Sequence, residues 1–277
     1  MKKFISFLNL SFGLLVSVTA FIACGGDDDE NIISSPDSQE AVNSKHITRV
    51  DYQGKALECI INYDTKGRVS SFVWKDGKDT NKYIYTYDEN SIVEEVGNHI
   101  SYTFSMLNGR ITSAEDYAYS STSWGESENY VEAEYSFSYD SSGHLQTKKG
   151  SKGITYTWEN NNLVSYIQTT GSSTKTVNFE YSDIRVSGNY IPYLFCLGRK
   201  FKFSENYPFL SYYGFFGKQS QNLPKKMVET QGNTSATEEY DYTMKDGLPI
   251  EIAVKKTTIS SNGEKSTSNY RIIIEWN

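Results

Sequence analysis

The residue whose setting predicts the most definite chemistry is Cys24. It closes the run Phe21-Ile22-Ala23-Cys24-Gly25-Gly26, after an apolar stretch from Phe4 to Ile22 that itself follows Lys2 and Lys3. A basic start, an apolar middle and a small residue before the cut mark a secretory leader. A cysteine directly past that cut resembles a lipobox, where the chain is cleaved and the cysteine is acylated. The apolar run is also about long enough to span a bilayer, so a retained transmembrane anchor is the rival reading. The placement of the cysteine decides for the lipid. Residues 1–23 therefore read as a signal peptide, Cys24 as the lipid attachment site, and a membrane as the partner it reaches.

Other reactive residue types are present without the spacing that reactions need. His46, His99 and His144 stand alone in sequence and read as surface turn and strand residues. No His or Cys pair has zinc-ligand spacing, so neither a metal nor a cofactor is expected. Asp64, Asp88 and Asp140 occupy one position of a repeated turn, which explains them without catalysis. Gly217-Lys218-Gln219-Ser220 departs from a phosphate loop, because Tyr212 stands where its first glycine belongs and Gln219 where Ser or Thr must follow the lysine. No Gly-x-Ser-x-Gly elbow occurs. Beyond Cys24, Cys59 and Cys196 lie in apolar contexts, and both a disulfide and a pair of buried thiols fit them. The 34 carboxylates could supply a glycosidase pair, but sequence does not select one.

Aromatic content is the remaining chemical resource: 22 Tyr, 14 Phe and 4 Trp. Tyrosine joins a flat apolar body to a polar tip, which suits stacking on sugars or peptide recognition as well as a core. Most tyrosines fall in a strand alternation and are assigned to the core. Trp74, Trp124, Tyr212 and Tyr213 fall outside it and are the expected ligand-stacking residues.

The elements that hold these residues read as strands. Tyr83-Ile84-Tyr85-Thr86-Tyr87, Tyr135-Ser136-Phe137-Ser138-Tyr139 and Val177-Asn178-Phe179-Glu180-Tyr181 alternate with a period of two. Runs end in turns such as Tyr63-Asp64-Thr65-Lys66-Gly67-Arg68-Val69 and Tyr139-Asp140-Ser141-Ser142-Gly143-His144-Leu145. Weaker copies begin at Tyr87, Leu107, Trp158 and Met244. Asp, Asn and Gly serve there because tight hairpins need positive φ and bonds back to the turn backbone. Six or seven such units predict an all-β, antiparallel up-and-down meander of about 12–14 strands, closed into a barrel or strongly curved, over residues 46–277. Residues 188–226 break the rhythm with Pro192, Pro208 and Pro224 among dense aromatics. They read as an apolar insertion, partly helical, packed into or over the sheet. Residues 24–45 are acidic and aperiodic, a disordered tether.

The Tyr-Asp-x-x-Gly-x-Leu/Val unit resembles the tyrosine-aspartate repeats of bacterial surface and toxin shells. With the lipobox, Gly25-Gly26-Asp27-Asp28-Asp29 and the segment from Gly214 to Pro224, nearly the whole mature chain is similar to a family of Bacteroidetes lipoproteins described as a domain of unknown function with a porin-like β-barrel fold. The Gly-rich acidic run after Cys24 likewise resembles the export signal of surface lipoproteins. The resemblance implies an outer-membrane anchor facing outward, and offers no catalytic residue. A membrane-inserted barrel is disfavoured, since tyrosines run along whole strand faces rather than in two girdles. The formal net charge of −7 excludes a nucleic-acid partner. The expected role is non-enzymatic binding of an extracellular glycan or protein. A glycosidase-like envelope enzyme and a structural envelope component are the alternatives.

Overall fold

The structure is a computed structural model and describes residues 45–53, 57–121, 127–185, 210 and 214–277, the side chains at 120, 121, 127 and 128 excepted. Its strands are β1 (Ile47–Gln53), β2 (Leu57–Tyr63), β3 (Val69–Asp76), β4 (Asp79–Tyr87), β5 (Ser91–Val96), β6 (His99–Leu107), β7 (Arg110–Ser121) and β8 (Ser127–Tyr139). They continue as β9 (Leu145–Lys149), β10 (Gly153–Glu159), β11 (Asn162–Thr170), β12 (Ser173–Arg185), β13 (Asn222–Gln231), β14 (Thr234–Lys245), β15 (Leu248–Ile259) and β16 (Lys265–Trp276). Each pairs antiparallel with its sequence neighbours, and β1 pairs with β16, so the meander closes into a barrel.

Sixteen strands exceed the expected 12–14 for a definite reason. Counting from turns groups β2 with β3, β4 with β5, and so on to β14 with β15. This leaves out β1 and β16, whose partner is the other end of the chain rather than a turn neighbour. Val50 lies opposite Ile274 and Tyr52 opposite Ile272 across that seam. No local signal marks such a pairing. The insertion is also shorter than expected, because β13 already begins at Asn222 and carries Pro224 near its start, where a register shift accommodates the missing N–H.

Alternation places one side chain in two inside. Val50 and Tyr52, Cys59 and Ile61, Phe104, Ile111, Tyr166, Val177, Tyr240, Ile252, Val254 and Ile272 are all buried, and each lies on the inward parity of its strand. Cys59 is a free, buried thiol; Cys196 lies outside the described residues.

The repeated turns work as their residues predict. Asp64 Oδ1 accepts the N–H groups of Lys66 and Arg68 at 2.9 Å each, and its Oδ2 takes the Arg68 Nε. Asp140 does the same for His144, through its N–H at 2.9 Å and its ring Nδ1 at 3.1 Å. An aromatic residue near the end of the strand has a second job. Tyr63, Tyr87, Tyr139, Tyr181 and Tyr242 donate their hydroxyls to the carbonyls of Ile47, Val69, Ile111, Leu163 and Pro224. Trp158 and Trp276 donate indole N–H groups to Leu145 and Pro249. In each case the end of an even-numbered strand is tied to the start of the strand before it, forming an aromatic collar at the end of the barrel that carries the Asp turns.

Candidate binding site at the barrel mouth

The two ends of the barrel differ. At the turn end the described part of the insertion fills the space inside the collar. Phe215 stacks on Tyr87 with centroids 5.8 Å apart, and Phe216 meets Phe137 at 5.0 Å and Phe104 at 6.4 Å, both edge-on. Leu210, Phe215 and Phe216 are buried. Backbone bonds hold this plug to the rim: Ile111 N–H to the Phe215 carbonyl, Lys218 N–H to that of Gly143, and Gln221 N–H to that of Asn161. A packed turn end of this kind leaves the opposite mouth as the place for a ligand.

At that mouth the inward-facing residues change from apolar to charged. Glu238 is buried, accepts the Tyr240 hydroxyl at 3.1 Å and pairs with Lys256. Lys175 lies 3.8 Å from Glu229. On the other wall, Tyr102 donates to Asp116 Oδ2 at 2.8 Å, and the buried Lys148 holds its ammonium 4.0 Å above the Tyr135 ring centre. A cation over a desolvated ring is worth about 2 kcal/mol. Together with Glu132, Lys152 and Gln168, these four side chains line a cavity of about 370 Å³, a volume within the range of small-ligand sites.

Strand length creates this cavity. β9 and β10 have 5 and 7 residues, whereas β8 has 13. The ladder between β8 and β9 starts at Ser136 opposite Lys149. Above it the barrel wall is notched, and the β9–β10 turn sits at the foot of the notch. Gly150 allows that close approach, since a Cβ there would come within 2.4 Å of the Tyr135 ring. A register shift between Asp116 and Tyr117 sets two β8 residues against one of β7. The extra residue is Glu132, which this bulge turns to the cavity.

Glu94 stands behind the lining, opposite Tyr102 on the neighbouring strand. Its Oε2 accepts the Tyr85 hydroxyl at 2.7 Å, while Oε1 is buried with no hydrogen-bond partner. Burial pushes its carboxyl up to about 8, with the Asp116 charge adding to the shift against hydrogen bonds from Tyr85 and Ser101. At neutral pH Glu94 is therefore mostly an uncharged acid, which is how a carboxyl can sit in this core. Among the described residues no cluster of His, Cys, Asp and Glu could hold a metal ion.

The sequence-predicted residues do not converge here. Trp74 is half-buried on β3, with its ring edge-on to Tyr52 at 6.2 Å, and packs against the core. Cys24, Trp124, Tyr212 and Tyr213 lie outside the residues whose side chains are described. His144 corrects the expectation of a surface turn: it is 4% exposed, stacked on Trp158 at 4.5 Å. Its slot in the repeat is the one that Arg68 fills above Tyr87 at 4.3 Å, so the inward turn residue needs a flat or cationic group over an aromatic ring. The residues missed, Asp116, Lys148 and Glu94, had one signal. Each is an ionisable residue at the inward parity of a strand whose other inward positions are mostly apolar or aromatic.

The outer wall is of a different kind. Arg49 reaches Glu58 at 2.5 Å and Glu275 at 2.9 Å, and Lys75 reaches Glu58 at 2.9 Å. Lys75 and Arg49 hold the Glu58 carboxyl below its usual range. Lys226–Glu180, Lys255–Glu239 and Arg271–Glu251 continue the pattern on strands whose alternate residues are buried.

This architecture defines a porin-like β-barrel, and the comparisons with solved structures agree. A porin-like protein from Bacteroides uniformis is similar with a TM-score of 0.61 at 15% identity, over 83% of this chain and 98% of that one. A porin-like protein from Bacteroides vulgatus has a TM-score of 0.55 at 14% identity, over 84% and 99%. No family model matches the chain, and no curated protein matches it by sequence. At these identities the likeness is one of fold.

Proposed function

We propose that this chain is a non-enzymatic binding protein of the bacterial outer membrane, tethered through lipid on Cys24 and facing outward, that takes part of an extracellular glycan or protein into the notch between β8 and β11. The observation that carries this reading is the cavity of about 370 Å³ at the mouth opposite the plug, lined by two tyrosines and by charges of both signs. The leader and acidic tether support the location, as does the porin-like fold shared with the Bacteroides proteins. The outer wall supports tethering over insertion. Arg or Lys facing lipid at the bilayer midplane costs about 2–4 kcal/mol each, and this wall carries Arg49, Lys75, Lys255 and Arg271.

Two experiments test the proposal. Metabolic labelling with a fatty acid should mark the chain and not its Cys24→Ala variant; equal labelling would remove the anchor. Glycan and peptide arrays probed with the mature chain should return a ligand whose binding is lost when Ala133→Trp fills the cavity. Empty arrays, or binding that ignores this substitution, would count against the site. One observation favours an enzyme as second reading: Asp116 and Glu132 face the same cavity. Release of reducing ends from a polysaccharide, abolished by Asp116→Asn, would establish it, and binding without turnover would dismiss it.

A further inference from the structure

Beside the cavity, β8 presents an edge that, among the described residues, has no ladder partner on the side away from β7. Its ladder with β7 runs from Ser127 to Ser136, but its ladder with β9 covers Ser136 to Tyr139 alone. Among the described residues, then, Ser127–Ala133 is paired on one side only, by β7. Every second residue along such an edge aims its N–H and C=O at the vacant side. Natural barrels abolish edges by closure, but β7 beyond Asp116 likewise has no ladder with β6, so the tip of the β7–β8 hairpin stands clear of its neighbours with the cavity on its β8 side. The edge is accessible, since Asn129, Tyr130, Val131 and Glu132 are exposed, Tyr130 by 52% and Val131 by 42%.

Its charge selects among occupants. Glu134 lies directly opposite Glu115 across the β7–β8 ladder, an arrangement that is unfavourable for like charges. Glu132 and Asp116 add acids at the cavity, against Lys152 and a Lys148 that is already seated on the Tyr135 ring. A strand continuing the line of β9 would run antiparallel to β8 and begin at the foot of the notch. Its N-terminal ammonium would then meet Asp116 and Glu132, and a basic side chain among its first residues would relieve Glu115 and Glu134. We infer that the Ser127–Ala133 edge of β8 accepts an extended, lysine- or arginine-bearing peptide as an added antiparallel strand, with the N-terminus of that peptide in the cavity. This rests on the binding reading above and names its partner class.

Backbone addition has a signature that side-chain docking lacks. The probe is a seven-residue peptide of alternating lysine and valine with a free N-terminus, titrated into the detergent-solubilised mature chain, alongside two versions N-methylated at odd or at even residues. Hydrogen exchange should slow at alternate amides within Asn129–Ala133. One methylation register should weaken binding at least about tenfold, by removing its ladder bonds, while the other leaves it within about threefold. Glu132→Gln with Glu134→Gln should weaken the unmethylated peptide at low salt and lose that effect at high salt. Equal loss in both registers, or no saturable binding, overturns the inference. Protection that rises with protein concentration before peptide is added also overturns it, because a second copy then occupies the edge. A glycan bound in the cavity with no peptide binding would sink this inference and leave the binding reading intact.

Discussion

At the scale of single residues, the Tyr-Asp repeat divides labour between neighbours. The aspartate closes its own turn, while the tyrosine before it ties two strands together at the rim. Tyr87→Phe keeps the ring under Arg68 and removes only the 2.9 Å bond to the Val69 carbonyl. Urea unfolding should show a loss of about 1 kcal/mol; an unchanged midpoint would mean that the collar is ornamental. Glu94 predicts a pH dependence whose sign follows from its shift. Its folded carboxyl is raised from 4.5 to about 8, so the folded state keeps a proton that the unfolded chain gives up. The Glu94 contribution is present at low pH and declines as pH climbs from about 4.5 to about 8. Unfolding midpoints measured in steps across that window should fall with pH, and Glu94→Gln, neutral throughout, should flatten the slope. A variant with the parent slope would show that the carboxyl ionises elsewhere.

At the scale of elements, turns and strand faces were legible in the sequence, because a period of two and an Asp-x-x-Gly signal are local. Leu107-Asn108-Gly109 is such a case: Asn108 and Gly109 have φ of 51° and 71°, as a two-residue hairpin requires. The candidate site was not legible, because it arises from a difference in length between hairpins. Leu145–Lys149 reads as an ordinary short strand, and only beside the 13 residues of β8 does it leave a notch. Trp74 misled because it reads as set apart from the alternation, whereas it shares the inward parity of Phe72, lies opposite Cys59 and packs against Tyr52. The plug depends on one contact that a side chain would spoil. Gly217 has φ of +84°, and a Cβ there would lie 2.4 Å from the Gly143 carbonyl oxygen. Gly217→Ala should lower stability by about 2 kcal/mol, seen as a drop of several degrees in the thermal midpoint. An unaltered midpoint would mean that the plug is not fastened at that point.

At the scale of the whole molecule, a barrel tethered rather than inserted, as proposed, turns its outer ion pairs to water. The chain from residue 46 onward should therefore remain in solution without detergent, and a sedimentation run in plain buffer checks this; precipitation cleared only by detergent would point to a lipid-facing wall. Adjacent pairing of successive strands keeps nearly all ladder contacts short in sequence. The exceptions are β12 with β13, paired across the insertion, and the β1–β16 seam, which joins Ile47 to Trp276. Hairpins can assemble in the order in which they are made, at small cost in loop entropy, but the circle cannot shut until the last residues arrive. Until β16 is made the growing wall has two open edges, at β1 and at the newest strand, and β16 removes both. Loss of even the final turn of sequence thus exposes the chain to proteases and to pairing with its own copies far more than an equal loss from a loop. The refolding rate should be set at this seam, where the Trp276 indole seats against the Pro249 carbonyl as the final signal of closure.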